Sequence, residues 1–245
     1  MTSLQRYVSR ELTHFVGRSK TPKEQYLLLV KILSSGLLLS HPFSENIQGN
    51  LAVKLDAKVS DNEMFNIQAI CFCDIPTADL SIHMSKYSKF GISFEKEYLI
   101  KKGVNPVFYV ANDSIVLSVP FDTPLRGAHF DKMIRIQNSL FFKTLQAFMK
   151  ASSQPGVPEE YVELKGALDF LNFEIFSYIK CFDASLPDND PRNYYMEREW
   201  RMTGNLKFQL KDVKSVILPQ SFSKRFRLDF PQYVGQVVFP DKLNI

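Results

Sequence analysis

The spacing of hydrophobic residues changes twice along this chain, and the changes predict the order of its elements. Short apolar segments with strand-like character occur in the first half and again near the end. Between about residues 124 and 182, the apolar residues instead recur every three or four positions, as on one face of a helix. The segments that predict strands are residues 67–73, 90–94, 106–110, 213–218 and 236–239. Strands on both sides of a helical block predict a protein of the α+β class.

A complete set of helix-boundary residues lies between positions 21 and 36. Thr21 suits the N-cap, Pro22 suits the first helical position, and Glu24 stands where a capping box needs its acid. Gly36 suits the C-cap. The sequence therefore predicts a helix between Thr21 and Gly36, and it predicts two shorter helices over residues 78–86 and 96–102.

The helical block contains two amphipathic stretches, at residues 130–148 and 161–179. Residues 152–158, which are rich in Ser, Pro and Gly, separate them and predict a helical hairpin. We expect one domain over residues 1–245, with a helical insertion at about 124–182.

Composition indicates a globular protein with a sizeable core, since 45% of the 245 residues are hydrophobic. The net charge of +4 is weak evidence for a nucleic-acid partner. The first residues do not have the pattern of a signal peptide, and no apolar run reaches the roughly 18 residues that a membrane span needs. Three cysteines do not suggest a disulfide framework. We therefore expect a cytoplasmic protein with no membrane contact.

The most informative segment is residues 193–202, which contains two acids, two tyrosines and the only tryptophan. If the segment is extended, Glu197 and Glu199 point to the same side, while Arg198 points outward. Two carboxylates entering one pocket are typical of a paired-acid catalytic site. The alternative is a solvent-exposed strand that carries the same spacing by chance.

An early histidine, His14, lies within an apolar segment that precedes the first helix. It is either a ligand-binding residue or a hydrogen-bonded structural one. His83 lies four residues before Tyr87, so these two side chains are expected to share a helix face. The chain has no glycine-rich dinucleotide motif and no phosphate-binding P-loop, which argues against a Rossmann enzyme and a P-loop NTPase.

Several segments, taken in chain order, resemble the AbiGi-like abortive-infection family over most of the chain. They are Thr13-His-Phe-Val-Gly17, Ile32-Leu-Ser-Ser-Gly-Leu37, Cys71-Phe-Cys-Asp-Ile-Pro76, His83, residues 87–94 and Glu197-Arg-Glu-Trp-Arg201. More remotely, the first part is similar to toxin ADP-ribosyltransferases that modify DNA or RNA. That likeness implies an ADP-ribosyltransferase-like split β-sheet core with the helical hairpin as an insertion.

The remote resemblance also implies roles for individual residues, with NAD as co-substrate and no metal. Glu199 would stabilise the positive charge that develops on the ribose when nicotinamide leaves, and Glu197 would orient or deprotonate the acceptor. The residues expected to bind NAD are His14, Phe15, Gly17, Tyr87, Ser93 and Phe94. Asp74 is the alternative to Ser93 as the residue that lines the middle of the pocket. Core packing is the alternative role for Tyr87 and Phe94.

Two functions of different class follow from the resemblance. The first is an NAD-dependent ADP-ribosyltransferase toxin of a phage-defence system, with RNA, DNA or a host protein as acceptor and a neutralising antitoxin or chaperone as partner. The second is a non-catalytic antitoxin or partner-binding module of an abortive-infection system, because the AbiGi-like family is described as an antitoxin.

Overall fold

The computed structural model describes residues 9–40, 51–54, 56–112, 114, 117, 130–151 and 159–240. The chain forms two compact units. Unit 1 consists of residues 1–50, 68–107 and 188–245, and unit 2 consists of residues 51–67 and 108–187. The single domain expected over residues 1–245 stays a prediction.

Short strands alternate with helices along the described part of the chain. The strands are β1 (Glu11–Phe15), β2 (Leu37–Leu38), β3 (Leu51–Val53), β4 (Phe65–Ile67), β5 (Ile70–Cys73), β6 (Gly91–Glu95), β7 (Asn105–Pro106), β8 (Phe108–Ala111), β9 (Ile179–Phe182), β10 (Glu199–Met202), β11 (Leu206–Lys207), β12 (Val213–Ile217) and β13 (Gln236–Val238). The α-helices are α1 (Pro22–Ser35), α2 (Ser81–Lys86), α3 (Lys96–Ile100), α4 (Phe130–Ala151), α5 (Glu159–Phe170) and α6 (Ser223–Asp229).

The described part of unit 1 is built on a seven-stranded sheet in the order β13-β12-β6-β1-β5-β10-β7. The β12–β13 pair is parallel, whereas the other neighbouring strands pair antiparallel. β1 is therefore the central strand. The side chains of two residues that are paired across neighbouring strands point to the same side of the sheet. The register therefore decides which side chains share a face.

One face of the sheet is covered by the main hydrophobic core of unit 1. Leu12, Phe72 and Phe94 lie on this first face and pack with Leu29 and Leu33 of α1. Burial of these apolar side chains contributes the main favourable free energy of this layer.

The second face of the same sheet has a smaller apolar cluster. Cys73 and Ile217 belong to it, as do Leu80 and Met84 of the α2 region, and Phe15 packs against it. Alternating residues of β1 thus serve two different cores.

Helix α1 has the boundaries that the sequence predicts. The Thr21 side chain accepts a hydrogen bond from the Glu24 backbone N–H, and the Glu24 carboxylate accepts one from the Thr21 N–H at 2.8 Å. Gly36 ends the helix with a left-handed backbone, φ 62° and ψ 32°, and donates its N–H to the Ile32 carbonyl. This capping box and C-cap are confirmed.

Unit 2 contains an antiparallel pair, β3–β4, a parallel pair, β8–β9, and the helices α4 and α5. Val59, Met64, Ile134 and Cys181 lie in its hydrophobic cluster. Helix α4 matches the first predicted amphipathic stretch. Helix α5 covers only the first part of the second, since a π-helical turn follows over Leu171–Ile175, a 3-10 turn over Phe176–Tyr178, and β9 begins at Ile179. The remaining parts of the predicted insertion, residues 124–129 and 152–158, lie outside the described residues.

Two predicted strands differ from the observed ones. The strand predicted over residues 67–73 is two strands, since β4 ends at Ile67 and β5 begins at Ile70. The strand predicted over residues 106–110 is likewise divided between β7 and β8. Apolar continuity alone does not show where one strand ends and the next begins. The mixed class with a multi-strand sheet is confirmed.

We predict that Gly36→Ala destabilises the protein by about 1–3 kcal/mol because alanine disfavours the left-handed backbone at this position. An added Cβ would also lie 2.4 Å from the Phe208 carbonyl oxygen. Urea unfolding of the wild type and of Gly36→Ala measures the difference in their free energies of unfolding.

Gly204→Ala is the matched control in the same unit, because its added Cβ would meet Met202 Cε at an ordinary 3.8 Å. Equal unfolding midpoints for the two variants would contradict the assigned role of Gly36.

Candidate functional site

The two candidate catalytic acids do not alternate along one extended strand, so that prediction is wrong. Glu197 ends a short 3-10 helix, Tyr194–Glu197, and Arg198 adopts a left-handed backbone with φ 44° and ψ 52°. The extended chain begins only at Glu199, the first residue of β10. The two carboxylates are therefore presented by different local structures, and each has its own set of partners.

Glu197 is a buried carboxylate held by two side chains of the α2 region. Its Oε1 accepts hydrogen bonds from Lys86 Nζ at 2.5 Å and from the Tyr87 hydroxyl at 2.6 Å. Only 6% of the residue is exposed. Burial raises the pKa of Tyr87, and the charge of Glu197 raises it further, so this phenol is a hydrogen-bond donor at neutral pH.

The ring of Tyr87 is surrounded by aromatic and cationic groups. Phe15 stacks on it with ring centroids 6.1 Å apart and 13° between planes. His83 stacks at 6.3 Å, which confirms that these two residues share a face. The Arg18 guanidinium lies 5.2 Å from the centroid of the ring, and Lys86 Nζ lies 5.5 Å from it. Tyr87 is thus a packed side chain as well as a hydrogen-bond donor.

Glu199 forms a different buried ion pair. Arg201 approaches it with two nitrogens, Nε at 2.6 Å from Oε1 and Nη2 at 3.4 Å from Oε2. Residues two apart in β10 share a face, so Arg201 lies on the same side as Glu199 and forms a salt bridge with it. The charge of Glu199 also raises the pKa of Tyr87, so both acids lie near the same phenol.

The cross-strand register gives Glu199 its place on the second face of the sheet. Glu199 is paired with Cys73, Cys73 with Thr13, and Thr13 with Ser93. The hydroxyls of Thr13 and Ser93 are 2.9 Å apart and buried. Burial and the neighbouring charge of Asp74 raise the pKa of Cys73 to about 12, so its sulfur remains a thiol. Thr13, Ser93 and Glu199 are thus polar side chains on the second face, and Cys73 of the apolar cluster lies between them.

His14 lies on the opposite face from Glu199. It is paired with Ile92, and its ring meets that of Phe72 edge to face at 5.8 Å. Its Nδ1 is 2.9 Å from the Cys71 carbonyl oxygen. Burial lowers the pKa of His14, while the hydrogen bond to Cys71 opposes that shift. The sheet separates this half-buried imidazole from the acids, so the structure does not bring His14 and Glu199 into one pocket.

The other predicted NAD-binding residues are divided in the same way. Phe94 is fully buried in the core of the first face, whereas Phe15 and Ser93 lie on the second face. Gly17 forms a turn after β1 with φ 78°, and its carbonyl accepts a hydrogen bond from Gln25 Nε2 at 3.1 Å. Their contacts are those of packing and turn residues.

Asp74, the alternative to Ser93, is also held in structural contacts. It is 4% exposed, forms an ion pair with Lys96 at 2.6 Å, and accepts a hydrogen bond from the Ser9 backbone N–H at 2.9 Å. These contacts favour neither Asp74 nor Ser93 as a pocket residue. Among the described residues, no group of three or more His, Cys, Asp or Glu side chains could hold a metal ion.

Beside Glu197 is a small pocket that the sequence does not predict. Its cavity volume is about 10 Å³, enough for roughly one water molecule. The polar residues that line it include His83, Lys86, Asp188, Asp190, Asn193 and Glu197. This volume is far below that of a site that encloses a nucleotide.

His83 lines that pocket with a buried imidazole whose two nitrogens make no hydrogen bond to the described residues. The residue is 6% exposed. Burial lowers the pKa of His83 to about 4; Lys86 lowers it too, while Glu197 opposes. The imidazole is therefore neutral at pH 7.

Sequence reasoning missed Lys86 and the acidic residues before Glu197. The signal available for Lys86 was its position next to Tyr87 at the end of a short helix. Asp188 and Asp190 had only the composition of a polar loop to mark them. Nothing local indicated that they would lie beside His83.

Comparison with known proteins identifies the family. A family model described as "Putative abortive phage resistance protein AbiGi, antitoxin" matches residues 54–230. The chain belongs to the AbiGi family. A relative named "Abortive phage resistance protein AbiGi", from Lactococcus lactis subsp. cremoris, is 23% identical over 215 residues, which cover 77% of this chain and 84% of the relative. The predicted resemblance to the AbiGi family is thus confirmed.

The same comparisons give no support to the resemblance to ADP-ribosyltransferases. No solved structure matches this AbiGi-family chain. None of the described helices combines the length and apolar character that crossing a membrane requires. The expected cytoplasmic location stays a prediction.

We predict that His83 makes the protein less stable as pH falls from about 6.5 to 4. Its pKa in the folded protein, about 4, is below the ordinary value of 6.5, so the unfolded chain takes up the proton first. The difference corresponds to about 3 kcal/mol of unfolding free energy, present above pH 6.5 and lost toward pH 4.

Urea unfolding at pH 7 and pH 4.5 tests this, with His83→Gln as the comparison. The variant should lose much less stability between the two pH values than the wild type does. An identical loss in both proteins would refute the assignment.

Proposed function

We propose that this AbiGi-family chain is a non-catalytic antitoxin of an abortive phage-resistance system, and that it acts by binding a partner protein. The description of the family model supports this, since it names an antitoxin. A toxin protein is the partner that such a role implies. The predicted acceptor, whether nucleic acid or host protein, is not needed for this function.

The observation that carries the proposal is the engagement of both acids in buried contacts. Glu197 is bound by Lys86 and Tyr87, and Glu199 is bound by Arg201 through two nitrogens. A carboxylate that must stabilise a developing charge has to face the substrate. These contacts favour a structural role for both acids.

The position of His14 gives independent support. Its partners, Ile92 and Phe72, belong to the core of the first face, whereas Glu199 lies on the second face. An NAD-dependent transferase of the predicted kind needs these two residues around one dinucleotide. The NAD-dependent transferase stays a prediction, and incubation of the purified chain with NAD tests it.

We expect the chain to be harmless when it is expressed alone and to rescue growth from a toxic gene of its own host. Genomic fragments of that host, under an inducible promoter, are introduced into cells with and without the chain. Fragments that arrest growth only in the absence of the chain encode the candidate toxins. Titration calorimetry of each purified pair then tests direct binding.

Two results would contradict the antitoxin proposal. One is the absence of any rescued fragment in a library that covers the genome. The other is growth arrest by the chain itself, accompanied by nicotinamide release when the purified chain is incubated with NAD. Glu95→Gln is a suitable control variant for both assays, because Glu95 pairs with Lys214 on the exposed surface.

A further inference from the structure

The pocket beside Glu197 is built by a loop that is fixed in place. Lys86 Nζ donates a hydrogen bond to the Pro191 carbonyl at 2.6 Å in addition to its contact with Glu197. The Asn193 N–H donates to the Asp190 carbonyl at 2.9 Å, which closes a turn in the loop. The wall of the pocket is thus held by several hydrogen bonds, which limits the reorganisation that binding requires.

His83 gives this pocket an unused hydrogen-bonding capacity. A neutral imidazole has one donor and one acceptor nitrogen, and neither is used by the described residues. Leaving a buried polar group without a partner is costly, so an occupant that bonds to it gains free energy. The acceptor nitrogen requires an N–H or O–H donor from that occupant.

The charges around the pocket favour a cation. Three carboxylates line it, those of Asp188, Asp190 and Glu197. Lys86 pairs with Glu197 and Arg192 pairs with Asp190, so Asp188 gives the pocket its net negative charge. Arg192 Nη2 donates a hydrogen bond to Asp190 Oδ2 at 2.7 Å. The side-chain and backbone hydrogen bonds from Arg192 lower the pKa of this carboxyl to about 2. Asp188 is exposed at the mouth of the pocket. A negatively charged occupant, including a nucleic-acid phosphate, would be repelled.

We propose that this pocket binds the tip of an arginine side chain of the partner protein, a step that rests on the proposed antitoxin function. The guanidinium carries five N–H donors in a planar fork, which suits acceptors on His83, Asp188 and Glu197 better than the single ammonium of lysine does. The small cavity accepts one water-sized group at its base, and its carboxylates neutralise the charge. Tyr195, which is 51% exposed, precedes Glu197 in the short 3-10 helix that follows the loop, and exposed aromatic side chains are frequent anchors of protein interfaces.

The test uses the intact chain and N-acetyl-arginine methylamide as the probe. The ring signals of His83 are followed by NMR and assigned by their loss in His83→Gln. The arginine probe should shift these signals in a saturable way, the matching lysine probe should bind more weakly, and the glutamate probe should leave them unchanged. Asp188→Asn should weaken arginine binding by roughly fivefold, as expected for an exposed ion pair.

Glu97→Gln is the matched charge control, since Glu97 is an exposed acid of the same unit, outside the pocket. It should leave the affinity for arginine unchanged. The proposal is overturned if the arginine probe leaves the His83 signals in place, if glutamate shifts them equally, or if a single-stranded RNA shifts them more.

The same variants separate this proposal from the antitoxin function. If Asp188→Asn and Tyr195→Ala both rescue growth as well as the wild type does, the arginine pocket is refuted while the antitoxin function stands. If the wild type rescues no fragment, the antitoxin function itself fails, whatever the NMR titration shows.

Discussion

The pocket beside Glu197 and the loop that forms its wall depend on the contacts of one buried carboxylate, that of Glu197. It joins Lys86 and Tyr87 of the α2 region to a turn about 110 residues later in the chain. A carboxylate with 6% exposure is tolerated only when nearby cations and hydrogen bonds replace its lost hydration. Because Lys86 also binds the Pro191 carbonyl, the loop and its pocket are fixed by the same contacts.

The register of the central sheet imposes the second constraint. Glu199, Cys73, Thr13 and Ser93 lie in one row on one face, and His14 lies on the other. Since side chains alternate between faces, His14 reaches the face of Glu199 only if β1 slips by one residue, which would break its pairing with β5 and β6. His14 and Glu199 therefore do not line one pocket, as the expected transfer reaction needs. Binding of a partner protein at the surface does not require these two residues to meet.

Local signals in the sequence were sufficient for α1, because its capping box and C-cap glycine act within a few residues. They failed at Glu197, where the left-handed backbone of Arg198 interrupts the alternation that Glu-x-Glu suggested. Left-handed geometry at a residue other than glycine is set by tertiary contacts, so composition does not reveal it. His83 and Asp188 are far apart in the chain and meet only in the folded protein, so no local sequence pattern predicts the pocket that they line.

The most direct test of the structural role of Glu197 is the unfolding free energy of Glu197→Gln, measured with amide hydrogen exchange of the loop. The account predicts a loss of about 3 kcal/mol, because the half-buried Lys86 is left without its counter-charge, and faster exchange at Asn193 and Met196. Glu95→Gln, which breaks the exposed pair with Lys214, should leave both quantities nearly unchanged. Equal stability and equal loop protection in the two variants would contradict the account.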